Sequence, residues 1–332
     1  MRIRAAITAV VLLATALIAA PSYAVPLTIG VAYDIGGRGD RSFNDAAAVG
    51  LEKAQKKFDF AVEAVVTDGT STDRDRRVRS LITKNCNPII VVGSGYVPTI
   101  KVLAVEFPNT QFAILNDATI EALNVTSLVF ADTQGAYLAG YSAGLASKSG
   151  KVAMIAEATQ SDLFQNGFSA GVKATKKSVT AMIRYINGSS TTATKQAMDA
   201  GADVIFIARP GSNSEVFEVI VARNKMIAKN KKLNPVGLIT VEPDQYVSVS
   251  SSTKKYLYAT VVKQIDKAIY DVISMAVSGQ QYLDVLDEKA GIYGHRYSVT
   301  DGGITFKTYL PSLTSATNLI NATAAHAGKI TA

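Results

Sequence analysis

Short β-branched runs alternate with longer amphipathic stretches twice over along this chain, and that alternation restricts the fold to parallel strands joined by crossover helices. The first block, roughly 25–131, offers strands over 27–33, 60–67, 88–93, 111–115 and 127–130, with helices over 43–57, 74–84 and 96–106. A second block, roughly 132–244, offers strands over 151–157, 181–186, 203–208 and 235–240, with helices over 134–147, 192–200 and 214–229. Each series can close its own sheet, so the expected fold class is α/β, with two lobes that are each a parallel-sheet three-layer sandwich. A long helix is expected over 259–278, returning to the first lobe because a two-lobed chain crosses more than once. The expected division is 25–131 plus 245–282 for lobe I and 132–244 plus 283–312 for lobe II. Residues 313–332 form an Ala/Thr-rich tail, expected to be mobile.

The amino terminus reads as a secretory signal peptide over residues 1–24. Arg2 and Arg4 precede an uncharged apolar run from Ala5 to Ala20, and Ser22-Tyr23-Ala24 supplies the small residues that suit cleavage before Val25. The run falls short of the roughly 20 residues a membrane-spanning helix needs. No cysteine stands near the cleavage point, so a released rather than lipid-anchored protein is expected, in the periplasm or at the cell surface. The sole cysteine, Cys86, excludes an intramolecular disulfide. Losing Arg2 and Arg4 takes the net charge from +7 to +5. The remaining positive clusters, at 74–79 and 225–232, read as solvated helix faces without interleaved aromatics, so no nucleic-acid partner is expected.

The most informative stretch is Tyr33-Asp34-Ile35-Gly36-Gly37-Arg38-Gly39-Asp40-Arg41-Ser42-Phe43-Asn44-Asp45. A strand ends in a glycine-rich loop that feeds a helix, with Ser42 as N-cap and Asp45 in the capping-box position. In a parallel sheet this junction lies at the carboxyl edge, where ligands bind. Asp34 and Asn44 can hydrogen-bond a ligand, and Phe43 can present an aromatic face to a planar ring. Each also has a structural reading: the glycines making the turn, Asp40 capping the helix, Phe43 stapling it to the core.

That stretch resembles the signature of the basic membrane protein family, the purine-nucleoside receptors of bacterial ABC importers, which carry Asp-x-Gly-Gly and then Asp-Lys-Ser-Phe-Asn. Further likenesses follow in order: Phe112-Ala-Ile-Leu-Asn-Asp117, Gln134-Gly-Ala-Tyr-Leu-Ala-Gly140, Phe164-Gln-Asn-Gly-Phe-Ser-Ala-Gly171, Ala202-Asp-Val-Ile-Phe206, Asp244-Gln245, Val262-Lys263 through Ala268-Ile-Tyr-Asp271, and Asp301-Gly-Gly303. The resemblance implies a type I periplasmic-binding-protein fold with a ligand cleft between the lobes. It implies that Phe43 stacks on a base, that Asp34, Asn44 and Asp117 hydrogen-bond to base or sugar, and that Glu242 and Lys263 reach the sugar. Phe164 is a candidate for the other side of the ring. Ser42 and Gly211 complete the expected ligand-binding positions.

Two departures bear on the ligand. Where relatives read Ala-Gly-Gly-Thr-Gly, this chain has Ala208-Arg209-Pro210-Gly211-Ser212-Asn213, and Glu242 replaces an aspartate. Three other patterns are set aside. Gly140-Tyr141-Ser142-Ala143-Gly144 has the spacing of a hydrolase nucleophile elbow but lies inside an expected helix, where close packing explains it. Arg38-Gly39-Asp40 belongs to the loop, and Gly93-Ser94-Gly95 lacks the third glycine of a dinucleotide fingerprint. With His295 and His326 the only histidines, no transition-metal site, cofactor or catalytic group is expected. The resemblance implies the expected function: an extracytoplasmic receptor, monomeric, that closes on a nucleoside, expected to be a purine nucleoside, and delivers it to an ABC permease. The alternatives are the same fold binding a sugar or other polar solute, a sensory receptor, and a nucleoside-processing enzyme.

Overall fold

The structure, a computed structural model, describes residues 27–157, 161–209, 213–229, 234–241, 244, 246, 249–282 and 284–327. The first block runs β1 (Thr28–Tyr33), α1 (Phe43–Gln55), β2 (Ala61–Val66), α2 (Ser71–Thr83), β3 (Ile89–Val91), α3 (Val97–Glu106), β4 (Phe112–Leu115) and β5 (Val125–Phe130). The second runs α4 (Asp132–Ala146), β6 (Lys151–Ala156), α5 (Ser161–Ala174), β7 (Thr180–Tyr185), α6 (Ser190–Asp199), β8 (Val204–Ala208), α7 (Ser214–Ile227) and β9 (Gly237–Val241). There follow α8 (Ser251–Lys254), β10 (Leu257–Lys263), α9 (Ile265–Val277), β11 (Asp284–Asp287), β12 (Ile292–Tyr297), β13 (Ile304–Thr308), α10 (Pro311–Ser315) and α11 (Thr317–Ala327). Every strand expected in the two blocks is present, its bounds within two residues.

Two sheets result, ordered β11-β12-β5-β4-β3-β1-β2 and β13-β10-β9-β8-β6-β7. All neighbours are parallel except the edge strands β11 and β13, which run antiparallel. The central strands β3, β4, β8 and β9 are buried along their whole length, which is why they read as continuous apolar runs rather than alternating ones. Helices cover both faces of each sheet, giving the two-lobed α/β architecture.

The late chain corrects the expected helix and the expected division. Residues 257–263 form a strand, not the start of a helix; Thr260, Val261 and Val262 are β-branched and favour an extended backbone, and Thr260 meets Thr240 through a buried hydroxyl pair at 2.9 Å. This strand pairs with β9 in the second sheet, whereas β12 pairs with β5 in the first. Sheet membership therefore places 257–263 with lobe II and 284–297 with lobe I, the reverse of the expected assignment. Only α9 returns to the first lobe as expected, lying on α1 where Gly50 allows contact: a Cβ there would stand 2.4 Å from the Asp266 carbonyl oxygen. As far as residue 327 the tail forms α10 and α11, and α11 seats buried Ile320 in the main core and sets the His326 ring 5.6 Å from that of Tyr137 on α4.

The chain crosses between lobes at Ala131, at Gln264 and over 298–303. Ala131 (φ −77, ψ 73) and Gln264 (φ −83, ψ 68) share the inverse γ-turn conformation, and each opens a helix. The crossings bond one another: the Ala131 N–H donates to the Tyr297 carbonyl at 2.8 Å, and the Gln264 N–H to that of Gly303 at 2.9 Å. The Gln134 side-chain oxygen accepts from the Val299 N–H at 3.0 Å. Within the second lobe α4 and α5 pack backbone to backbone. A Cβ on Gly140, Gly167 or Gly171 would come within 2.1 Å of a carbonyl oxygen on the other helix. The elbow-like Gly140–Gly144 stretch is thus a packing surface, with Ser142 fully buried in it. Among the described residues no helix is long and apolar enough to cross a membrane.

Candidate functional site

Strands β1, β3 and β4 end side by side, and the loops leaving their carboxyl ends enclose a cavity of about 250 Å³. Asp34, Ile35, Asp40, Ser42, Phe43 and Asn44 line one side; Val92, Gly93, Ser94, Gly95 and Asn116 line the other. Four of the expected ligand residues, Asp34, Ser42, Phe43 and Asn44, therefore come together here. All described lining residues belong to the first lobe. The described lining residues include two carboxylates and no lysine or arginine.

The loop is held by its own polar groups. Ser42 occupies the N-cap position, but its side chain makes no capping bond. Asp40 does that work instead: Oδ1 accepts from the N–H groups of Ser42 at 2.8 Å and Asp45 at 3.1 Å, and Oδ2 from that of Asn44 at 3.0 Å. Asp45 turns back to accept from the N–H of Gly39 at 2.6 Å and of Arg41 at 2.9 Å. Asn44 is buried; its Oδ1 accepts from the Asp34 N–H at 2.9 Å and its Nδ2 donates to the carbonyls of Asp34 and Ile35 at 3.3 Å. Its amide thus fixes the Asp34 backbone. Phe43, at the first helical position, is half-buried, packed on the core at one side while bordering the cavity at the other.

The next expected residue gives way to its neighbour. Asp117 Oδ1 accepts from the N–H and the hydroxyl of Thr119 at 2.8 and 2.7 Å, closing a turn, and Asp117 does not line the cavity. Asn116 does. Its left-handed backbone (φ 63) turns the chain as β4 ends, and its Oδ1 accepts from Lys263 Nζ at 3.2 Å. Lys263, the last residue of β10, has its side chain 2 % exposed and pairs with Asp132 at 2.8 Å, beside the Phe130 ring. This lysine, on a second-lobe strand, thus bonds a residue of the first lobe that lines the cavity.

Phe164 lies elsewhere: it is buried in the second lobe with its ring 6.2 Å from that of Phe206. Gly211 and Glu242 lie outside the described residues. Arg209 is turned toward the start of α7, donating from Nε to Asn213 Oδ1 at 3.1 Å and pairing with Glu215. Sequence reasoning missed Asn116, the wall made by Gly93 to Gly95, and Arg74. Arg74 stands in the charged run read as a solvated face, yet its side chain is only 13 % exposed and donates to Asp34 Oδ1 at 2.7 Å.

A family model described as ABC transporter substrate-binding protein PnrA-like, named Bmp, matches residues 28–317. Among curated proteins, the chain is 30% identical over 271 residues to a CD4+ T-cell-stimulating antigen of Listeria monocytogenes, covering 76% of this chain and 74% of that one. It is 26% identical over 270 residues to the ABC transporter nucleoside-binding protein BmpA of Lactococcus lactis, covering 76% of each. Among solved structures it resembles a transcriptional activator of the comK gene from Bacillus halodurans, with a TM-score of 0.68, 19% identity and coverage of 90% of this chain and 97% of that one. It also resembles an ABC transporter solute-binding protein from Aeropyrum pernix, with a TM-score of 0.65, 18% identity and coverage of 92% and 90%.

Proposed function

The chain belongs to the Bmp family of PnrA-like ABC transporter substrate-binding proteins, and from that premise we propose that its ligand is a purine nucleoside. The observation that carries this reading is the chemistry of the first-lobe cavity. It combines an aromatic side chain, Phe43, with the acceptors Asp34 and Asp40 and the carboxamide of Asn116, and it has no cation among its described lining residues. A base offers a π-face for Phe43, and its N–H groups and the sugar hydroxyls are donors that a carboxylate can accept. A phosphate would instead meet the carboxylates of Asp40 and Asp34, the charge of the second offset by Arg74, so that the repulsion comes chiefly from Asp40. The neutral nucleoside is favoured over the nucleotide on that ground. The name of the Lactococcus lactis relative supports the same ligand class.

In this reading the second lobe closes over the cavity about the three crossings, expelling water and strengthening each polar contact. Phe164, Gly211 and Glu242 are then the residues it brings to the ligand, beside Lys263, which already bonds Asn116. The protein acts as a monomer, exported with cleavage near Ala24, and passes its ligand to a membrane permease. Calorimetry with adenosine, guanosine and inosine tests the reading: saturable heat with at least one is expected, and much weaker binding of the corresponding monophosphate. Absence of heat with all three nucleosides would sink it. Heat with ribose alone would move the ligand to the sugars.

A further inference from the structure

The wall behind the cavity carries a device that none of the ligand-binding expectations includes. Arg74, on the first turn of α2, does not line the cavity; it reaches Asp34 from behind. Its Nη2 donates to Asp34 Oδ1 at 2.7 Å, and its Nη1 donates to the Gly69 carbonyl at 2.6 Å. The guanidinium sits over the ring of Tyr96, 5.4 Å from its centroid. Tyr96 is itself fully buried and fixed, its hydroxyl donating to the Tyr33 carbonyl at 2.7 Å. Arginine here is held on three sides by groups that do not depend on a ligand.

The Gly93-Ser94-Gly95 turn makes room for this arrangement. A Cβ on Gly95 would stand 2.7 Å from Arg74 Nη2, and one on Gly93 would stand 3.3 Å from Asp34 Oδ2. The motif that lacks the pattern of a dinucleotide loop thus has another use, which is to leave space for an ion pair on one side and a carboxylate oxygen on the other. A planar guanidinium fixes the direction of the carboxylate it binds, which an ammonium does not do.

We propose that Arg74 is a positioning residue for ligand recognition: it pins Asp34 Oδ1 from behind the cavity wall, so that Oδ2 is presented at a fixed angle to accept a hydrogen bond from the ligand. The pair also sets the polarity of the subsite. With the carboxylate neutralised from behind, the subsite takes an uncharged donor, a ligand N–H or O–H, rather than a free cation. The inference rests on the cavity being the ligand site, and it deepens the nucleoside reading by assigning a donor to this position.

The test has a ligand-free arm and a binding arm. In full-length mature protein labelled with 15N-arginine, the Arg74 Nε signal is identified by its loss in Arg74→Lys, and it is expected to shift and broaden in Asp34→Asn. A signal unmoved by Asp34→Asn overturns the pairing whether or not a nucleoside binds. In calorimetry with guanosine, Arg74→Gln and Asp34→Asn are each expected to weaken binding tenfold or more, and the double variant no more than twofold beyond Asp34→Asn alone. Multiplying losses would show that Arg74 acts independently of Asp34 and overturn the proposal. Gly95→Ala guards against misfolding of the charge variants, since it displaces the guanidinium while keeping both charges. It is expected to weaken guanosine binding with an unchanged melting temperature, and retained affinity would count against Arg74. Absence of guanosine heat with the unmodified protein would fail the nucleoside reading alone, leaving the Arg74 signal to decide the pairing.

Discussion

Phe43 does two things at once, bordering the cavity with one face and packing on the core with the rest of its ring, and the two can be separated by measurement. Phe43→Ala is expected to cost about 1–3 kcal/mol of nucleoside affinity if the ring stacks on the base. Binding of ribose would be little affected by the same change. A loss equal for both ligands would show that the ring only holds the loop. At this scale the sequence was informative where the site is local. Asp34 to Asn44 lie within one loop, so its glycines, its capping aspartate and its aromatic residue are visible together. Asn116, Gly93 and Arg74 were hidden because their role exists only where three strand ends converge. Arg74 was further masked by Arg76, Arg77 and Arg79, whose own side chains are exposed or half-exposed and pair with the buried Asp73 and the exposed Asp75 and Glu106.

The strands of the two blocks were legible where apolar or β-branched residues run together between helical stretches. The central strands, buried on both faces, announce themselves as continuous apolar runs, and the partly exposed edge strands β2 and β7 were still marked by β-branched residues between two helical stretches. The late strands were not so marked: β11 is Asp-Val-Leu-Asp, β12 carries His295 and Arg296, and both sit toward an edge where polar side chains are tolerated. Strand β10 merged with α9 because Gln264 alone separates them, with no glycine or proline to mark the change. The α4–α5 contact gives an element-scale prediction. Gly140→Val or Gly171→Val must drive a side chain into a facing carbonyl, so each is expected to destabilise the second lobe by upwards of about 3 kcal/mol in urea unfolding. Gly188, around which no atom would meet a Cβ, is the contrasting position; its positive φ still disfavours a side chain, but only by local strain.

For the whole molecule, tyrosines set the alkaline limit. Burial is the main cause that raises the hydroxyls of Tyr258 and Tyr282 to about 12, above their ordinary value of 10.0, so the folded chain keeps protons that the unfolded chain gives up. Their contribution to stability is intact below pH 10 and is lost as the pH rises toward 12. Urea midpoints are expected to fall across that window, with tyrosinate absorbance lagging behind that of the unfolded chain; unchanged midpoints would contradict this. The three crossings have a consequence for how the chain acquires its shape. Until residue 297 is available, β5 has no partner on one side, and the first lobe, although begun first, exposes a sticky edge throughout synthesis of the second. Neither sheet is complete until the last strands are made: β12 completes the pairing of β5 in the first, and β13 that of β10 in the second. The pairings that complete both sheets are thus long-range and come late in the chain, and a chain cut short near 282 is expected to aggregate rather than yield a working half.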